Sequence, residues 1–146
     1  MKVRTFIAGI GAAAVVGSGG LVLTTAASAQ SAPHILKFVT VEINAVDYSA
    51  TGFAGEDEDL STSGQLIGFD VLHFTVNPVS GIVRIDAAVD VDGGVIYGTL
   101  TSASTTSPIA IGKVTGGTGA FRDAAGSITA TAESATQSLV TVVFTN

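Results

Sequence analysis

From residue 35 onward the chain alternates. Over residues 35–46, Val39, Val41, Ile43 and Ala45 fall on one side of an extended backbone, and Phe38, Thr40, Glu42 and Asn44 on the other, because successive side chains of a strand point to opposite faces. A second run, 65–76, ends in Asn77-Pro78-Val79-Ser80-Gly81, a cluster of turn-forming residue types. The third run is the most regular: Val83, Ile85, Ala87, Val89 and Val91 alternate with Arg84, Asp86, Ala88, Asp90 and Asp92. Asp92-Gly93-Gly94 then signals a tight hairpin. With Gly93-Gly94 as its two-residue loop, Val91 faces Ile96, and Ile96, Gly98 and Leu100 continue the apolar face. Further strands are predicted at 108–114, 127–132 and 138–145, the glycine-punctuated stretch 115–126 lying between the first two.

The stretch 47–64 reads differently. It carries Glu56-Asp57-Glu58-Asp59, and an unbroken charge run ordinarily keeps a loop in water. It also lacks the spaced acidic frame of a calcium loop. About seven strands in strict succession, with almost no helical periodicity, predict an all-β domain. A small closed antiparallel up-and-down barrel suits the pattern because closure removes unpaired edges; a sandwich is the alternative.

Residues 1–29 read as a signal peptide. Lys2 and Arg4 precede an apolar stretch over 6–23, and Ala27-Ser28-Ala29 matches the small-x-small pattern cut by signal peptidase. The rival reading is a membrane anchor, which the five glycines of that stretch disfavour. Removal leaves a secreted, extracellular single domain, 30–146, with no other segment apolar and long enough to cross a membrane. That domain keeps four of the six basic residues and all twelve acidic ones, a formal net charge of −8. Such a surface repels phosphate backbones and anionic lipid, which argues against nucleic acid as a partner. There is no cysteine, so disulfides, thiolate nucleophiles and zinc–thiolate sites are excluded together. The two histidines, His34 and His73, are too few and too far apart in sequence for a metal site. His73 and Asp70 fall on opposite faces of their strand, which breaks up a dyad.

The most distinctive segment is Val114-Thr115-Gly116-Gly117-Thr118-Gly119-Ala120-Phe121-Arg122-Asp123-Ala124-Ala125-Gly126. No Gly-Lys-Ser/Thr follows, so it is not a phosphate loop. It reads as a tight connection in which Phe121 plugs one end of the barrel. Extended through Ser127-Ile128-Thr129-Ala130-Thr131, it resembles the signature shared by allene oxide cyclases and plant dirigent proteins. Glu42-Ile43-Asn44 resembles a first-strand motif of the cyclases, and Gly64-Gln65-Leu66-Ile67-Gly68-Phe69 a glycine-led strand that places a phenylalanine in the cavity. The chain departs from the cyclases at Ser49-Ala50-Thr51, where the family has Ser-Pro, and it lacks their cavity cysteine.

The resemblance implies an eight-stranded barrel, usually a homotrimer, with an apolar cavity and no cofactor. It further implies Glu42 as charge stabiliser or base and Asn44 as polar anchor, with Phe38, Thr40 and Phe69 in the ligand-binding wall. The outer stripe Val39, Val41 and Ile43 is then expected at or near a subunit contact. Two functions stay open on these grounds. One is a cofactor-free cyclase or isomerase that binds a small apolar molecule and steers a reactive intermediate. The other is a non-catalytic extracellular carrier or structural barrel with a packed interior.

Overall fold

A computed structural model describes residues 32–146; the signal-peptide reading concerns residues that lie outside these. Eight strands follow one another: β1 (His34–Ser49), β2 (Gly52–Ser61), β3 (Leu66–Val76), β4 (Val83–Val91), β5 (Gly94–Ser102), β6 (Ile109–Gly117), β7 (Ala125–Ala132) and β8 (Gln137–Thr145). Each pairs antiparallel with its neighbour, and β1 pairs with β8, so the sheet closes into an up-and-down barrel. The fold is the one expected, and the strand that the hydropathy pattern does not reveal is β2, the acidic segment. The residues expected as a solvated loop over 47–64 instead complete β1 and form all of β2, which lies between β1 and β3 as an integral stave of the wall.

The β4–β5 hairpin shows how alternation fixes the interior. Val83, Val89, Val91, Ile96 and Leu100 are buried, Ile85 and Ala87 face the same inner space, and Asp86 pairs with Thr99 on the outside. The turn itself is one residue earlier than the sequence pattern gives. Val91 pairs with Gly94 and Val89 with Ile96, so Asp92-Gly93 forms the two-residue loop, with Gly93 at φ 106°. The difference amounts to two residues in register, and a shift of two leaves every side chain on its original face. At the next turn, the Asn77 side-chain carbonyl accepts hydrogen bonds from the Val79 and Ser80 amides at 2.9 and 3.0 Å. That is the Asx chemistry expected of the cluster.

The two ends of the barrel differ. At one end the β6–β7 connection folds inward through a 3₁₀ turn, Gly119–Phe121. The Phe121 ring meets Phe144 edge-on at 5.6 Å, and Ala124 is buried beneath. With Val91, Ile96, Val114 and Phe144, these residues close that end. At the other end the interior stays open between the loops following β5 and β7.

Candidate ligand-binding cavity

The open end leads into a cavity of about 340 Å³. Its walls are mostly apolar, with Phe38, Leu72, Leu100, Ile128 and Val140 along the sides. Phe53 and Phe74 stack near the mouth, ring centroids 4.1 Å apart and planes 10° from parallel. Serine and threonine side chains of the 103–108 and 133–138 segments rim the entrance.

The charged part of the lining is entirely acidic, and β2, the segment that looked like a loop, supplies its middle. In β2 the side chains alternate, Asp57 and Asp59 inward, Glu56 and Glu58 outward. Asp57 pairs across the sheet with Asp70 of β3 on one side and Glu42 of β1 on the other; Asp59 pairs with Thr40 and Gly68. Glu42, Asp57 and Asp70 line the cavity, and Asp59 lies one step deeper, fully enclosed. Gly68 is required beside it, because a Cβ there would sit 2.1 Å from the Asp90 carbonyl oxygen. Asp57, Asp59 and Asp70 are 7, 0 and 3% exposed, and no basic side chain lines the cavity.

Burial without a countercharge favours the neutral acid. It pushes Asp70 up to about 9, reinforced by the charges of Asp59 and Asp57, and Asp59 up to about 7, reinforced by Asp57. The Asp70 proton is donated to Asp59, which stabilises the proton on Asp70 and opposes the rise at Asp59. Asp57 is raised by burial and by Glu42, and held back by the Thr40 hydroxyl. Apart from that shared proton, no donor reaches either carboxyl oxygen of Asp59 or Oδ1 of Asp70. The pair is therefore a proton-holding dyad at neutral pH, and Asp70 presents it to the cavity.

Phe38 and Thr40 lie buried in the wall, where the sequence and the resemblance put them, and Glu42 stands exposed at the mouth. Two expected residues do not belong to the cavity. Asn44 is on the outside, because a bulge between Glu42 and Asn44 reverses the alternation and pairs Asn44 with the outward Glu56. Phe69 is also outside, 48% exposed, since β3 turns Asp70, Leu72 and Phe74 inward against Val89, Ala87 and Ile85. Phe53 and Phe74 supply the aromatic wall in its place. His73 shares the outer face with Phe69; its ring stacks on Tyr48 at 4.7 Å, away from the cavity.

No family model matches the sequence, and no curated protein sequence matches it. Solved structures do match in fold. A pterocarpan synthase dirigent protein superposes with a TM-score of 0.68 at 16% identity, over 87% of this chain and 96% of its own. A pyocyanin demethylase gives 0.59 at 17% identity, over 77% and 100%. An exo-specific intermolecular Diels–Alderase gives 0.55 at 10%, over 78% and 98%. With the closed eight-stranded meander and one open end, these likenesses give the chain the fold of the dirigent and allene oxide cyclase barrels.

Proposed function

We propose that the protein binds a small, largely apolar molecule inside the barrel and acts on it by proton transfer, without a cofactor. The observation that carries this reading is the open cavity of about 340 Å³ with Asp57 and Asp70 in its wall. Ligand pockets begin at roughly 300 Å³, so the interior is large enough to admit a guest, which speaks against a packed barrel. Apolar walls supply affinity, and the stacked Phe53–Phe74 pair favours a flat ring. A neutral acid in the wall of a cavity is poised to exchange a proton with a bound molecule, and raised carboxyl pKa values gather at such sites. This favours a cyclase- or isomerase-like catalyst over a passive carrier. The Asp59–Asp70 pair would exchange the proton with the guest through Asp70, and Asp57 would be the carboxylate that steadies developing positive charge, with Glu42 reduced to a role at the mouth. Two structural neighbours, named as a pterocarpan synthase dirigent protein and an intermolecular Diels–Alderase, are compatible with this reading.

Binding is tested with the neutral fluorophore N-phenyl-1-naphthylamine, whose emission rises in apolar surroundings. We expect saturable binding by the wild type. Ala130→Phe, which places a ring in the cavity, should weaken it about tenfold or more with the thermal midpoint little changed. Unsaturable emission, or equal affinity in the two proteins, would remove the reading.

A further inference from the structure

We propose that the molecule this cavity is built to take is an organic cation: a flat, mostly apolar ring system carrying a positive charge. The inference rests on the binding reading above and gives it a substrate class. Every ionisable group facing the space is an acid. Glu42 comes from β1, Asp57 from β2 and Asp70 from β3, with Asp59 of β2 behind them. The elements packed against them bring no countercharge: β4 presents Val89 and Ala87, and β5, β7 and β8 present Leu100, Ile128, Val140 and Val142. The strand-borne cations Lys37, Arg84 and Lys113 are all exposed and outside the lining, Arg84 held there by Asp86 at 2.9 Å. The resulting field rejects an anion and rewards a cation.

A cluster of acids alone would be ambiguous, but here one of its members is unfinished. Asp70 is 3% exposed, lines the cavity, and has an Oδ1 that no donor reaches. Buried polar atoms in folded proteins are ordinarily satisfied, so this oxygen is an acceptor awaiting a donor or a positive charge from a guest. A metal ion is the poorer candidate. Among the described residues no three acidic or histidine side chains are placed to share one, and apolar walls enclose the remaining space. A ring cation suits both halves of the lining, its charge toward Asp57 and Asp70 and its face toward the stacked Phe53 and Phe74.

Such a guest must displace a proton. With the dyad holding its protons near neutrality, a permanently charged ligand favours the ionised form, so binding releases protons and tightens as pH rises. Acridine (neutral at about pH 8), 10-methylacridinium and 9-anthracenecarboxylate form a nearly isosteric neutral, cationic and anionic set for titration. We expect the cation to bind about tenfold more tightly than acridine or better, and the anion most weakly. Between about pH 7 and 8, where Asp59 is still ionising and acridine is above its own titration, the cation's affinity should rise while that of acridine stays level. Asp57→Asn/Asp70→Asn should abolish the preference for the cation. The wild-type charge series needs no variant, so the inference stands or falls even if the double variant fails to fold. Acridine binding as tightly as the cation, or a cation preference surviving in a folded double variant, would overturn the cation proposal and leave the binding reading intact. No binding of any of the three would overturn both.

Discussion

The carboxyl dyad makes the barrel's stability run against the usual direction with pH. An aspartate ordinarily titrates near 3.8, and burial raises Asp59 to about 7 and Asp70 to about 9. Above about pH 5 the unfolded chain has released these protons while the folded chain still holds them. Fewer protons on the unfolded state means that unfolding becomes easier as pH rises. Stability contributed by the protonated pair is complete below the unfolded value and is lost progressively up to the folded ones. Each proton held only by the folded state gives about 1.4 kcal/mol per pH unit. The slope is therefore steeper near neutrality, where the pair holds two protons, than at more alkaline pH, where it holds one. With an unfolding entropy of about 0.24 kcal/mol/K for a domain of this size, the shallower limb alone lowers the melting temperature by roughly 6 °C per pH unit. Asp86, pulled down by hydrogen bonds from Arg84 and Thr99, acts in the opposite sense but only at more acid pH. Urea unfolding at intervals from about pH 5 to 9 measures the slope. Asp70→Asn preserves shape, supplies an amide donor to Asp59, and should flatten the limb above pH 7 while stabilising the protein there. A wild-type stability that is level or rising across this range, or a variant with the wild-type slope, would refute the reasoning.

Two further outcomes follow from the sequence and the geometry. Gly68→Ala should destabilise the barrel by about 1–3 kcal/mol in urea unfolding, the scale of overpacking a rigid site, because its Cβ would meet the Asp90 backbone with no flexible side chain to yield. We also propose that export removes residues 1–29; intact mass of the secreted protein should then begin at Gln30, and a species retaining the first 29 residues would indicate an anchor.

What could be read from the sequence was the periodicity of apolar positions, and that sufficed for β1, β3, β4, β5 and the last three strands. β4 and β5 survived even a turn misplaced by one residue, because the two-residue register change preserves the faces. β2 was hidden by its charge. Four consecutive acids resemble a solvated loop, yet they alternate in length, the shorter Asp57 and Asp59 inward and the longer Glu56 and Glu58 outward. Asp-Glu alternation at period two between predicted strands was the signal available, and it points to a wall with limited room on one face. The polar side of the cavity was missed along with that strand. Asn44 was misplaced for another reason: parity carries along a strand only until a bulge, and nothing in Glu42-Ile43-Asn44 announces one. On β3 the alternation itself was right, but apolarity was a poor guide to which face is inside. The neighbours' register puts Asp70 in and leaves Phe69 out.

The plug formed by Phe121, Ala124 and Phe144 makes the cavity a blind chamber with one doorway. Whatever enters must leave by the route it came, past Glu42 and the serine- and threonine-bearing rim. Exchange is then strictly sequential: one guest must depart before the next can be admitted. In a catalyst of this shape, accumulated product competes directly with substrate for the vacant chamber, and a product that fits well slows its own formation. A guest whose charge is neutralised during the reaction would lose its hold on Asp57 and Asp70 at the moment it is finished, so the same acids that draw it in would also let it go.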